Sequence, residues 1–108
     1  MAYTIEYYNA RVLAEIESWP GEILADYAHL AELLMEHGPA LKMPHSRPLS
    51  DGLFELRPSG REGIGRAMYR FQVGRRITVV HAFIKKTQET PPKELKLARK
   101  RAKEIADA

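Results

Sequence analysis

The sequence predicts a single α+β domain, residues 1–108, in which an N-terminal helical hairpin packs on a small antiparallel β-sheet and a helix closes the chain. Three observations predict this class. Apolar and polar residues alternate through the middle of the chain, as they do in half-buried strands. Apolar residues recur at helical spacing before and after that region. With 108 residues, 44% of them hydrophobic, the chain can bury one modest core.

The N-terminal part is predicted to supply a first strand and two helices. Residues 3–8 alternate between two faces, which indicates the strand. The spacing of apolar residues in 12–16 suits a short helix that Pro20 interrupts. A second helix then runs to Gly38, which stops it. Its apolar residues form one stripe, made of Ile23, Tyr27, Leu30 and Leu34.

The alternation predicts three further strands in the middle of the chain. They cover Leu53 to Arg57, Arg66 to Val73, and Ile77 to Ile84. Residues 39–50 contain three prolines and are predicted to be a loop, and the glycine-rich segment 58–65 a flexible one. Antiparallel pairing of these strands places four charged side chains on a single side: Glu55, Arg57, Arg66 and Arg70. Of these, Arg57 and Arg70 are expected to face solvent. The third strand is apolar on both faces, which is typical of a central strand. It brings Lys85 and Lys86 to the edge of the sheet.

The last helix is predicted to begin near Thr90, which can cap it, with Pro91 in the first helical position. Its apolar stripe is narrow, so we expect only moderate anchoring. The stripe comprises Leu95, Ala98, Ala102 and Ile105, and the lysines outside it are Lys93, Lys96, Lys100 and Lys103.

Charge divides along the chain although the net charge is only +3. Residues 1–40 carry one cation against seven acids, whereas residues 41–84 and residues 85–104 each carry eight cations against three acids. Such polarity gives one side of the molecule a positive field that attracts and orients a polyanion. For the last helix alone, a basic face that simply contacts water is the alternative.

Several classes of function are excluded or disfavoured. The chain contains no cysteine, which excludes disulfides, thiolate catalysis and cysteine metal sites. The four histidines do not show helical ligand spacing, so no metal site is expected. No apolar run reaches membrane-spanning length and no signal peptide is evident, so a cytoplasmic protein without a membrane partner is the simplest expectation.

Three sequence blocks carry a family resemblance: DGLFELR at 51–57, the pair Tyr69-Arg70, and HAFIKKTQ at 81–88 followed by TPP at 90–92. With these blocks the chain resembles the HigB-like branch of the RelE/ParE toxin superfamily, which includes phage-derived toxin-like proteins. The resemblance covers nearly the whole chain. It implies a RelE-like fold with an initial strand, a helical hairpin, a sheet and a basic terminal helix.

The resemblance implies the toxin of a type II toxin-antitoxin pair, most simply a ribosome-dependent endonuclease that cleaves translated mRNA and so inhibits translation. The implied partners are a helix-turn-helix antitoxin and mRNA on the ribosome. The alternative is a non-catalytic binding protein, either a gyrase inhibitor of ParE type or a degenerate member that only binds its antitoxin. The antitoxin is expected either to present acids to the cationic face or to dock on the hairpin near Leu33 and Met35.

The candidate site residues follow from the chemistry of RNA cleavage by its own 2′-hydroxyl. That reaction needs a proton acceptor, cations for the developing phosphorane charge and a proton donor, and it requires neither metal nor cofactor. The catalytic candidates are Arg57, Arg70, Lys85, Lys86 and Glu55, and the RNA-binding candidates are Arg66, Lys93, Lys96 and Lys100. Glu55 alternatively pairs with an arginine, and the two adjacent lysines alternatively form only the polar end of a strand.

Histidine is weighed separately because HigB-type nucleases are associated with an active-site histidine. His81 is expected to share a face with Ile77, Val79 and Phe83 of a central strand. A packed histidine with a local hydrogen bond is therefore favoured over a catalyst.

Overall fold

A computed structural model of the chain describes residues 2–85 and 89–106. The elements follow in the order strand, two helices, five strands and a final helix. Their bounds are β1 Thr4–Tyr7, α1 Ala10–Glu17, α2 Gly21–His37, β2 Ser46–Ser50, β3 Leu53–Leu56, β4 Ser59–Gly60, β5 Gly63–Gln72, β6 Arg76–Lys85 and α3 Pro92–Ala106. A single 3₁₀ turn, Gly38–Ala40, ends α2. The predicted α+β class is confirmed.

The six strands form one mixed sheet with the order β1-β6-β5-β3-β2, and β4 pairs with β5. Strand β6 lies between β1 and β5, so the prediction of a central third strand is confirmed. The prediction of an antiparallel sheet is wrong at one position, because β1 runs parallel to β6 with Thr4 opposite Arg76. Parallel strands need a long connection between them. Here the chain passes through α1, α2 and strands β2 to β5 before it reaches β6.

Two strands were missed in the sequence. Strand β2 lies within the predicted loop 39–50 and pairs with β3 at the edge of the sheet. Its sequence, SRPLS, lacks a clear alternation and contains Pro48, a residue that strands tolerate only at edges or bulges. The buried hydroxyl of Ser46 lies 2.6 Å from that of Tyr69, which ties β2 to the core.

The glycine-rich segment 58–65 is not the predicted flexible loop, because it contains β4 and the start of β5. Its glycines allow close packing against α2. A Cβ atom at Gly65 would lie 3.0 Å from the side chains of Ile23 and Trp19, and one at Gly60 would lie 2.9 Å from Ile23. The glycines are therefore packing residues rather than signs of flexibility.

Helices α1 and α2 cover one face of the sheet. The predicted stripe of α2 is confirmed, since all four of its residues are buried in the core together with Val12 and Ile16 of α1. Asn9 caps α1 by accepting a hydrogen bond from the backbone N–H of Val12. A helical hairpin is not confirmed, because the chain begins with a strand and each helix packs on the sheet: α1 against β6 and β1, and α2 mainly against β4 and β5.

Helix α3 covers the opposite face of the sheet and begins at Pro92, two residues after the expected cap. Its small residues Ala98 and Ala102 are buried over Leu53, Met68 and Val80, so the predicted stripe is confirmed. In addition to this narrow apolar stripe, the helix has polar anchors. Polar contacts hold the helix at several points. Side chains of α3 donate to three backbone oxygens: Arg99 to Leu49 at 2.5 Å and to Ser50 at 3.3 Å, and Arg101 to Val80 at 2.9 Å.

A bulge in β6 changes the direction of His81. In the pairing of β5 with β6, Met68 lies opposite His81 whereas Tyr69 lies opposite Val79, so Val80 is an extra residue. Val79 therefore packs with α1 and α2 on one face, while His81 faces α3. The expectation that His81 shares a face with Ile77 and Val79 is wrong, because strict alternation does not survive a bulge.

Among the described helices, none is both long and apolar enough to cross a membrane.

Candidate anion-binding site

The charged residues predicted to share a sheet face do lie on one face, the one that α3 partly covers. At one end of it, side chains from β2, β5, β6 and the end of β3 form a group that we call the cationic cluster: Arg47, Glu55, Arg57, Arg66 and Lys85. Strand pairing sets this grouping, since Arg47 lies opposite Glu55 across β2 and β3, and Glu55 lies opposite Met68, two residues from Arg66 on β5.

Glu55 is the single carboxylate of the cationic cluster and is completely buried. Its Oε2 accepts a hydrogen bond from Arg57 Nη1 at 2.7 Å and lies 3.7 Å from Arg66 Nε. Its Oε1 has no hydrogen-bond partner among the described residues, and neither has Arg66 Nε. The ion-pair alternative for Glu55 therefore has direct geometric support, and its carboxylate does not face solvent.

Charge in the cationic cluster is unbalanced. Among the residues that define it, four cations accompany one carboxylate, and two of the cations, Arg66 and Lys85, are at most 5% exposed. Burial and the neighbouring Arg57 lower the pKa of Arg66 to about 10, against the opposing effect of Glu55. Burial and the nearby Arg66 lower the pKa of Lys85 as well. An excess of buried positive charge of this kind is stabilised by a bound anion.

The expected solvent exposure of the arginines is wrong in part. The side chain of Arg57 is 21% exposed and that of Arg66 only 3%. Lys85 does not project from the sheet edge as expected, because its ammonium group lies inside the cationic cluster, 3.4 Å from Thr90 Oγ1. Lys86, the other predicted lysine, falls outside the described residues.

Arg70 does not join the cationic cluster. It follows Arg66 by four residues on β5, which is about 13 Å along an extended strand. Its Nη1 donates a hydrogen bond of 3.4 Å to the backbone oxygen of Ala102 in α3. Met68 lies between the two arginines on the same face and is buried under α3. The predicted single arginine surface is thus divided in two by an apolar strip beneath the helix.

The predicted RNA-binding lysines of α3 lie on its outer face. Lys93, Lys96 and Lys100 are exposed, as is Lys103. None of them makes an ion pair with a carboxylate in the part of the chain that the structure describes. This row of charge is accessible to a large polyanion.

His81 lies apart from the cationic cluster. Its Nε2 is 2.8 Å from Glu94 Oε1, and its side chain is 14% exposed. Its ring also contacts that of Phe83, with 5.5 Å between ring centroids. This hydrogen-bonded packing is the arrangement that the sequence favours for a non-catalytic histidine. Among the residues described, no three His, Asp or Glu side chains are grouped so as to hold a metal ion.

Arg47 is a site residue that sequence reasoning missed. It lies in the segment predicted as a loop, and no local pattern there identifies it as a strand residue. The acidic neighbour that it faces, Glu55, is eight residues away and becomes adjacent only when β2 pairs with β3. A strand prediction for SRPLS would have been needed to find it.

Comparison with known proteins gives a family and a related fold. Residues 14–103 match the family model described as phage derived protein Gp49-like. The chain belongs to this Gp49-like family. The predicted RelE/HigB-type relationship is confirmed, because the Gp49-like family is of that type and the fold matches a RelE-RelB structure.

That solved structure is the archaeal RelE-RelB complex from Pyrococcus horikoshii OT3, one chain of which shares 17% sequence identity with this Gp49-like chain. The match has a TM-score of 0.55 and covers 78% of this chain and 96% of the other. At this identity the likeness shows a common fold. A comparison with curated protein sequences gave no significant match.

Proposed function

We propose that this Gp49-like protein is the toxin of a type II toxin-antitoxin system and inhibits translation by cleaving mRNA on the ribosome. The observation that carries the proposal is the cationic cluster, in which four cations face one buried carboxylate. Such an excess suits a site that binds phosphate and stabilises additional negative charge in a transition state. Family membership and the RelE-like fold support the same assignment.

The proposed reaction is metal-independent. The 2′-oxygen of a ribose forms a bond to the adjacent phosphorus, its proton passes to a base, and the bond to the 5′-oxygen of the next nucleotide breaks. Products are a 2′,3′-cyclic phosphate and a 5′-hydroxyl. Arg57 and Arg66 would neutralise the phosphorane oxygens through paired N–H donors. Lys85, whose pKa is lowered by burial and by Arg66, would give its proton to the leaving oxygen.

The role that we propose for Glu55 is not that of a general base. Its carboxylate is buried and bound to Arg57, so it cannot reach a substrate hydroxyl without breaking that pair. We assign it the role of counter-ion, holding Arg57 and Arg66 in position while leaving the cationic cluster positively charged.

Helix α3 would contact ribosomal or messenger RNA through its outer lysines, Lys93, Lys96 and Lys100. These side chains are exposed, and each phosphate they neutralise releases counterions. The ribosome would position the mRNA, so the toxin itself would need few base contacts. The site of action would be the cytoplasm, and the proposed partner that silences the toxin is a helix-turn-helix antitoxin.

The lysine row gives a testable salt dependence. Replacing both Lys96 and Lys100 with glutamine should reduce the slope of log K against log salt by about 1.4 for single-stranded RNA, since each lost phosphate contact removes about 0.7. Fluorescence anisotropy with labelled RNA gives the binding constant K, and measurements from about 50 to about 300 mM salt give the slope. Lys42→Gln, which removes an equally exposed charge from the loop before β2, is the control. An unchanged slope in the double variant would mean that the lysines contact only water.

One observation favours a second candidate, a non-catalytic member that only binds its antitoxin. Arg66 and Lys85 are almost fully buried, and α3 covers much of the sheet face that substrate would have to approach. A substrate therefore reaches these two side chains only if the surrounding surface opens. A ParE-type gyrase inhibitor has no comparable observation in its favour.

Primer extension on purified ribosomes with a bound mRNA tests the proposed function. With the protein added, we expect new 5′ ends within the open reading frame, and none on the same mRNA without ribosomes. A chain that co-purifies with its antitoxin but cuts neither substrate is the non-catalytic binder. A DNA-damage response on expression, without translation arrest, would instead identify a gyrase poison.

A further inference from the structure

A second cationic cavity lies under the C-terminal half of α3, at the opposite end of the sheet face from the cationic cluster. Its volume is about 310 Å³, which is within the range of small-molecule sites. The turn between β2 and β3 forms one side, β5 the floor and α3 the other side. Its lining includes Asp51, Leu53, Arg70, Arg99, Ala102 and Lys103.

Positive charge exceeds negative charge in this cavity. It is lined by three cations and one carboxylate, that of Asp51, whose side chain is 90% exposed and lies 3.6 Å from Arg99 Nη1. Within residues 2–85 and 89–106, no carboxylate forms an ion pair with Arg70 or Lys103. The C-terminal end of α3 contributes about half a negative charge. That is too little to cancel an excess of two positive charges.

Both guanidinium groups of the cavity are fixed by protein contacts. Arg99 donates hydrogen bonds to Leu49 O at 2.5 Å and Ser50 Oγ at 3.1 Å. The turn that it holds is unusual, because Ser50 and Asp51 both have positive φ, 80° and 54°. Arg70 makes one long hydrogen bond to α3, and its buried Nε has no partner among the described residues. The two arginines of the cavity therefore present preorganised positive charge.

We infer that this cavity binds the phosphate group of a nucleotide, either free in solution or within an RNA strand. Planar guanidinium groups match the oxygens of a phosphate ester, and Lys103 adds a mobile charge at the rim. Leu53 and Ala102, which are 1% and 5% exposed, give the cavity an apolar wall against which the sugar and base can pack. The site is separate from the cationic cluster and does not require that the protein cleave RNA.

Nuclear magnetic resonance titration of the full chain tests the site, with adenosine 5′-monophosphate, inorganic phosphate and adenosine as probes. We expect saturable one-to-one binding of the monophosphate, weaker binding of phosphate and none of adenosine, with shifts centred on Leu53 and Ala102. Arg70→Gln should weaken binding about tenfold or more, since it removes a charge-assisted hydrogen bond. Lys103→Gln should weaken binding about threefold, because an exposed charge contributes less.

Lys42→Gln is the matched control for Lys103→Gln, since both remove one exposed lysine charge. Lys103 makes no contact that the fold needs among the described residues, so this variant tests the site even if Arg70→Gln is unstable.

A titration with a 2′-deoxy oligonucleotide, which resists cleavage, separates the two ligand sources: tighter binding than the monophosphate indicates a strand, and weaker binding a free nucleotide. Absence of saturable binding, equal affinities in Lys103→Gln and Lys42→Gln, or shifts confined to the cationic cluster would overturn the inference. None of these results bears on mRNA cleavage at the cationic cluster, so failure of this inference is distinguishable from failure of the proposed function.

Discussion

Replacing Arg57 with glutamine is expected to slow mRNA cleavage roughly 100- to 1,000-fold, the usual loss when one preorganised transition-state donor is removed. Arg57 contacts Glu55 directly, and 21% of its side chain is accessible, whereas Arg66 and Lys85 are at most 5% exposed. A phosphate therefore reaches Arg57 more readily than those two buried cations. Single-turnover cleavage of ribosome-bound mRNA, followed by primer extension, measures the rate.

The fold should survive this substitution. Glu55 would still lie 3.7 Å from Arg66, so the buried carboxylate keeps a cationic neighbour. Arg61→Gln is the matched control, because Arg61 is 89% exposed and pairs with Glu22 on the other face of the molecule. Equal rates for Arg57→Gln and Arg61→Gln, with both variants folded, would remove Arg57 from the proposed reaction.

Replacing Glu55 with alanine is expected to lower the free energy of unfolding by about 3–5 kcal/mol, because it breaks a buried ion pair and leaves charge uncompensated. The carboxylate is fully buried and is the only negative charge facing Arg57 and Arg66 in the cationic cluster. Small domains have roughly 5–15 kcal/mol of stability in total, so the loss would be severe. Urea denaturation followed by the fluorescence of Trp19 measures it.

Glu22→Ala provides the comparison for Glu55→Ala. Glu22 also bonds an arginine, at 2.9 Å, but half of its side chain is exposed, and exposed pairs contribute little. A similar loss of stability in both variants would mean that the cationic cluster is screened by solvent and that Glu55 is not its structural counter-ion. Together with Arg57→Gln, the pair of variants separates a residue that acts on substrate from one that holds the site together.

Two cations of the cationic cluster, Arg66 and Lys85, are deeply buried. Cations used only for solubility would lie in water, whereas Arg66 and Lys85 are at most 5% exposed and have lowered pKa values. Desolvated cations attract an incoming phosphate more strongly than exposed ones, at a cost in stability. A folded protein with a bound anion should therefore be more stable than one without it.

Local pattern determined much of the fold. Alternation in residues 53–57, 66–73 and 77–84 located β3, β5 and β6, and the spacing of apolar residues located α2 and the stripe of α3. These signals succeed because each records which face of an element is buried. The same pattern placed Glu55, Arg57, Arg66 and Arg70 on one side of the sheet.

Tertiary structure alone decided how those charges are grouped. The sequence cannot show that α3 lies across the sheet, because its packing depends on Leu53, Met68 and Val80, which are distant from it in the chain. That packing separates Arg70 from Arg57 and creates the second cavity. Likewise, β2 contains Pro48 and shows no clear alternation, so the sequence does not predict it as a strand. The pairing of β2 with β3, which brings Arg47 opposite Glu55, is therefore known only from the structure. The residue types of the site were determined by the sequence, whereas their neighbours, burial and pKa values were set by long-range contacts.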